Sequence, residues 1–165
     1  MRVLGVDPGT SATGYGLVAR QKGGYRLEEC GVIRPTSGDP LADRLVEIHR
    51  ALAEVLERLE PEAVAVEGVF YGQNARTAAV LGHARGVAVM TAALRGGQVA
   101  EYSPSRIKKA VVGTGNATKE QVGYMVKKHL GLKEPPSPSD AADGCAAALC
   151  HLIVGTGAIA RRSSG

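Results

Sequence analysis

Tryptophan is absent from this 165-residue chain, phenylalanine occurs once, and five tyrosines complete an aromatic content of 4%. So thin an aromatic set argues against an extended base-stacking platform of the kind that holds single-stranded nucleic acid. Cysteine is scarce too. Cys30, Cys145 and Cys150 are odd in number and form no C-x-x-C pair, so no disulfide framework is expected. With no leader-like segment at the N-terminus, the expectation is a reduced, cytoplasmic protein. No unbroken apolar run reaches the ~18 residues of a membrane span, so no membrane association is expected. A phosphate loop of the form G-x-x-x-x-G-K-[ST] is missing, as are internal repeats and low-complexity tracts.

What is present is ordinary in amount and informative in order. Apolar residues at 44% and charged residues at 22% fit one globular domain, expected over residues 1–155, with 156–165 as a flexible tail. Met1 to Asp7 is a short apolar run that stops at Asp7-Pro8-Gly9-Thr10, a turn signal. Gly14 to Ala19 and Tyr25 to Arg34 follow with short connections, which predicts an antiparallel meander. From Pro40 to about Glu60 the period becomes helical: Leu41, Leu45, Ile48, Leu52, Val55, Leu56 and Leu59 recur between charges, ahead of Pro61. Ala63 to Glu67 reads as a buried strand, Asn74 to about Leu94 as a helix of small residues, and Gln98 to Tyr102 as a fifth strand. Two short basic helices are expected at Ser105–Val112 and Thr118–Leu130, separated by the loop 113–116. After the loop Glu134-Pro135-Pro136-Ser137-Pro138-Ser139, a last helix runs to about Val154, with Ser137 or Ser139 as its cap. Three strands followed by helices alternating with two more make one mixed α/β sheet.

The net charge of +4 conceals a segregation along the chain. Residues 1–70 carry a net −3, residues 71–133 a net +8, and residues 134–165 a net −1. A block at +8 is a phosphate-backbone footprint. For any single lysine the ordinary explanation is a solvated helix face. The loop Gly113-Thr114-Gly115-Asn116, flanked by Lys108, Lys109 and Lys119, favours phosphate, because glycines permit close backbone approach and the lysines neutralise charge.

Four acids stand at the ends of elements. Asp7 closes the first strand and Glu67 the fourth, while Asp140 and Asp143 are three apart at the start of the last helix and therefore share a face. Each has a mundane explanation alone: an Asx turn for Asp7, a solvent-reaching strand end for Glu67, a favourable helix dipole for Asp140 and in part Asp143. Jointly these weaken. If the first and fourth strands are neighbours and the last helix packs over their ends, four carboxylates converge. Such repulsion is relieved by a hard divalent cation, Mg²⁺ or Mn²⁺. Two such ions can take up the attacking and leaving oxygens of a phosphodiester displacement. An acidic cage with a basic flank is the charge pattern of a nuclease.

Val6-Asp7-Pro8-Gly9-Thr10 with Thr13-Gly14-Tyr15-Gly16, then Val64 to Phe70, Asn74, Leu81-Gly82-His83-Ala84-Arg85-Gly86, Val111 to Lys119, and Asp140-Ala141-Ala142-Asp143 resemble, in order and spacing, the RuvC Holliday-junction resolvases. The likeness spans about residues 2–154. It implies a ribonuclease-H-like fold, with a five-stranded mixed sheet of three antiparallel strands then two parallel, flanked by helices. It implies a homodimer that resolves four-way DNA junctions by paired symmetric nicks. Asp7, Glu67, Asp140 and Asp143 fall on the family's metal-binding and catalytic carboxylates, implying Mg²⁺ or Mn²⁺, two ions per subunit. Lys119 and Lys108 match lysines near the scissile phosphate, Lys119 with a catalytic role and Lys108 in binding. Phe70 matches an aromatic that stacks on a base at the junction centre. Tyr71, Asn74, Arg76, Lys109 and Asn116 complete the substrate-binding candidates. Gly68 stands where some relatives carry Gln or Glu. The family also implies hand-over from a branch-migration complex of RuvA and RuvB.

Three other readings compete. The D-x-G-T pattern at Asp7 also resembles the phosphate loop of actin-like ATPases, which need two such domains. A ribonuclease-H-like enzyme cutting RNA or simple duplexes shares the cage. A DNA-binding subunit with a dead cage is disfavoured by the intact set of acids. His49, His83, His129 and His151 show no site pattern and are expected at surface or packing positions.

Overall fold

The computed structural model describes residues 1–69 and 74–155. Phe70 and Tyr71, with residues 156–165, lie outside the described residues.

Three strands open the chain: β1 (Arg2–Asp7), β2 (Thr13–Gln21) and β3 (Gly24–Ile33). They pair antiparallel as the expected meander. The turn after Asp7 is closed by Thr13, whose buried Oγ1 donates to the Gly9 carbonyl (2.9 Å) and accepts from the Gly9 N–H (3.3 Å). Helix α1 (Leu41–Leu59) leads to β4 (Ala63–Glu67), which lies parallel to β1. Helix α2 (Ala75–Leu94) leads to β5 (Gln98–Tyr102), parallel to β4, and the strand order is β3-β2-β1-β4-β5.

Helices α3 (Pro104–Val112), α4 (Lys119–Leu130) and α5 (Ser139–Cys150) complete the fold. The last helix ends earlier than its apolar run, because His151–Gly155 winds as a π-helical turn. Neither serine caps α5: Pro138 holds the N-cap position without a side-chain bond, and Ser139 is already helical.

Strand alternation divides the apolar side chains between two layers. Leu4, Val6, Leu17, Val64 and Val66 face Ile48, Leu52, Val55 and Leu56 of α1 and Ala88 and Ala92 of α2. Val3, Val18, Ala63 and Ala65 face α3, α4 and α5 through Ile107, Val111, Val122, Val126, Leu130 and the run Cys145–Leu149.

By length and composition Ala75–Leu94 is, among the described residues, the one helix able to cross a membrane. Arg76, His83 and Arg85 interrupt its apolar run. The helix packs against α1, β4 and β5.

Candidate active site

The same alternation that sorts the core aims the first two acids. Asp7 follows Val3 and Gly5 on the α5 side of β1, and Glu67 follows Ala63 and Ala65 on the α5 side of β4. The parallel register Val6↔Val66 sets the two strand ends side by side.

The other two acids arrive on α5, and glycines decide how close they come. A Cβ on Gly14, the cross-strand partner of Asp7, would lie 1.8 Å from the Asp140 carbonyl oxygen. One on Gly16 would lie 2.4 Å from Cys145 Sγ, and one on Gly5 1.9 Å from the Gly144 oxygen. On the helix, a Cβ at Gly144 would meet Tyr15 Cα at 2.6 Å. Bare strand backbone against bare helix backbone lets α5 settle directly on β1 and β2. Carboxylate oxygens of Asp7, Asp140 and Asp143 thereby fall within 4.8 Å of one another. Glu67 stands outside that triad but lines the same clefts as Asp7. These glycines are the positions that sequence reasoning missed. Their signal was G-x-G on β2 opposite a glycine on β1, with a helix of small residues to receive.

Crowding is written into the acidities. Burial first, then the charges of Asp143 and Asp140, push Asp7 up to about 7 against the pull of Lys119. Burial, then Asp7 and Asp143, push Glu67 up to about 8. Asp143 is raised as well: burial outweighs its hydrogen bond from Lys119. A compact all-oxygen donor set, in which burial and then neighbouring carboxylates disfavour the charged forms of Asp7 and Asp143, fits a hard divalent cation. The residues that could hold one are Asp7, Asp140 and Asp143, with Glu67 lining the same clefts.

Lys119 is the first residue of α4, held there by a capping box in which Thr118 and Gln121 bond each other's backbone N–H. A cation at a helix N-terminus opposes the helix dipole. Here it is compensated by Asp143, whose Oδ2 lies 3.1 Å from Lys119 Nζ. That bond keeps the ammonium firmly protonated. Lys108 on α3 lines the same cleft of about 170 Å³ with Asp7, Glu67, Lys119 and Asp143. Arg34, not singled out in the sequence, reaches Asp140 at 3.8 Å.

The remaining candidates are more scattered. Asn74 caps α2, its side chain accepting from the Arg76 N–H at 2.9 Å, and both residues are exposed. Lys109 is exposed on α3, and Asn116 is exposed in the loop before α4, where its N–H bonds Thr114 Oγ1. No histidine joins the acids. Tyr102 and His151 share a buried hydrogen bond of 2.8 Å, His49 bonds Thr91, and His83 and His129 bond backbone oxygens.

Residues 3–151 match the family model described as Crossover junction endodeoxyribonuclease RuvC. The protein of that name from Pelotomaculum thermopropionicum is 49% identical over 151 residues, 92% of each chain. Its counterpart from Nitratidesulfovibrio vulgaris is 50% identical over 150 residues, 91% of this chain and 89% of that one. Thermus thermophilus RuvC superposes with a TM-score of 0.86 at 40% identity, covering 96% of this chain and 97% of its own. The same protein in complex with Holliday junction substrate gives 0.88 at 39% identity, covering 96% of both. These likenesses run through every element that carries an acid, and the chain belongs to the RuvC family of crossover junction endodeoxyribonucleases.

Proposed function

We propose that this protein is a structure-selective endonuclease that resolves four-way DNA junctions by paired symmetric nicks, in homologous recombination and DNA repair in the cytoplasm. The observation that carries the reading is the convergence of Asp7, Asp140 and Asp143 on the α5 side of the sheet, with Glu67 alongside and Lys119 in contact.

Asp7, Glu67, Asp140 and Asp143 are the residues that hold Mg²⁺ or Mn²⁺, two ions per subunit. Such ions, when bound, supply an activated water nucleophile and neutralise charge on the leaving oxygen. Lys119 keeps a positive charge beside the cage and stabilises negative charge that develops on the phosphate. Lys108 positions the DNA backbone from the cleft that it lines with Lys119. Phe70 stacks on a base at the junction centre, and Tyr71, Asn74, Arg76, Lys109 and Asn116 supply further contacts to the strand.

A twofold substrate calls for two sites, and a homodimer supplies them. Supporting this, α2 leaves Met90 exposed at 48% among the small residues of the Leu81–Ala93 stretch, and Leu94 exposed at 71% directly after it. The junction would be passed on from the RuvA and RuvB branch-migration complex.

The test is a labelled synthetic four-way junction incubated with Mg²⁺ or Mn²⁺, with nicks mapped on all four strands. Symmetric paired nicks are expected, absent from linear duplex. Asp7→Asn should remove cleavage and leave junction binding largely intact; full activity in that variant would sink the metal-cage reading.

A further inference from the structure

The cage is flanked by cations unevenly, and one of them has no role so far. Lys108 and Lys119 stand in the smaller cleft. On the other side of Asp7 and Glu67 opens a cleft of about 330 Å³, also reached by Asp140, and among the described residues Arg85 is the single cation that lines it. Arg85 belongs to the Leu81–Gly86 motif, which the reading of the acids left unused.

Its side chain is set from two elements. Arg85 projects from α2, while Glu101 on β5 receives both Nε and Nη2 on its Oε2. The Nη1 group has no protein partner among the described residues. Glu101 directly precedes Tyr102, whose carbonyl accepts the Gly68 N–H at 2.8 Å. The fork therefore anchors Arg85 to the strand that braces the chain just after Glu67. The Arg85 side chain is 38% exposed. An arginine fixed along one edge and open along the other presents its remaining donors to a phosphate with little further loss of side-chain freedom.

We propose that Arg85 is a substrate-positioning residue that grips a backbone phosphate on the side of the cage opposite Lys108 and Lys119, with Glu101 fixing its direction. The scissile strand would then find a cation on either side of the acids. This offsets the repulsion that four carboxylates exert on a polyanion approaching them. The inference rests on the nuclease reading of the site.

Its test is the salt dependence of DNA binding in the absence of divalent metal. Each phosphate contact contributes about 0.9 to the slope of log K against log[salt] on duplex DNA. Arg85→Ala should lower the magnitude of that slope by about 0.9 and raise KM for cleavage, with kcat changed less than KM. Arg85→Lys keeps the charge and should keep most of the slope. Glu101→Gln should also keep the slope while weakening binding, because the cation remains but loses its anchor. An unchanged slope in a folded Arg85→Ala protein overturns the proposal and leaves Arg85 only a brace between α2 and β5. Should the unaltered protein nick linear duplex as readily as the junction, the junction reading fails. The slopes measured on linear duplex would still decide Arg85.

Discussion

The two faces of the sheet are built by different rules. Toward α1 and α2 the strands offer Leu, Val and Ile, and α1 meets them with its own large side chains at helical spacing. Toward α5 the strands offer glycine and alanine ahead of their terminal acids, and the helix answers with a run of small residues. A face of large side chains keeps layers apart and derives stability from apolar area. A face of small residues lets backbones approach, and that is what sets Asp140 beside Asp7. The first face therefore bears mainly on stability, and the second on both stability and geometry.

The largest expected effect comes from blurring that distinction. Gly14→Ala places a Cβ where Asp140 backbone stands, so α5 must shift. Cleavage of a four-way junction should fall by about 10²-fold, as for a catalytic group displaced by about 1 Å. Overpacking should cost about 1–3 kcal/mol in a denaturant melt. A normal cleavage rate in this variant would show that close approach at β2 does not set the site.

Leu52→Ala probes the opposite face. Leu52 is fully buried between α1 and the sheet. Truncation should cost about 2–5 kcal/mol of stability, while the cleavage rate of the still-folded protein at low temperature stays near that of the parent. A rate that falls with the stability would mean that the two faces are coupled.

A third prediction concerns the metal-free protein and its pH dependence. Asp7 is raised to about 7 in the fold from an ordinary value of 3.8. A carboxyl with a raised folded pKa contributes stability that is fully present below its unfolded pKa. That contribution is lost as pH climbs through the folded value. Stability without metal should therefore decline between about pH 4 and pH 7, and Asp7→Asn should flatten the decline. At pH 8 the variant should melt about 2–4 °C higher, for relief on the order of 1 kcal/mol. An unchanged or lower melting temperature in Asp7→Asn would contradict crowding of the acids.

The smallest effect is expected on the outer surface. Glu57 meets Arg95 at 3.1 Å in an exposed pair between α1 and the end of α2. Glu57→Gln should leave the thermal melt and the cleavage rate where they were, since exposed pairs of this kind contribute little.

The regular face was the more legible in the sequence. Leu41 to Leu59 announced α1 by period, and Ala63 to Glu67 announced a buried strand by its unbroken apolar run. The acids were legible too, since Asp7 and Glu67 each terminate such a run. Less visible was what Gly5, Gly14 and Gly16 do. A glycine in a strand signals a bulge, a turn or a close neighbour alike, and only the neighbour distinguishes them. The start of α5 was misplaced by its cap for a related reason: three prolines and two serines over 135–139 offer several equivalent N-termini. Arg34 and Arg85 escaped notice as site residues because charge on a helix or strand end carries no direction in sequence.

From its sequence alone this protein had its element order, its four carboxylates at element ends and its family resemblance, because period, turn chemistry and ordered motifs are local properties of the chain. Tertiary structure alone decided that three of those carboxylates share a 4.8 Å neighbourhood, while Glu67 is not one of the three but lines the same clefts as Asp7. It also decided that Lys119 pairs with Asp143 and that Arg85 lines the cleft on the far side. Those facts depend on how near α5 comes to bare strand backbone and on which residues lie across a register, distances that no spacing along the chain encodes.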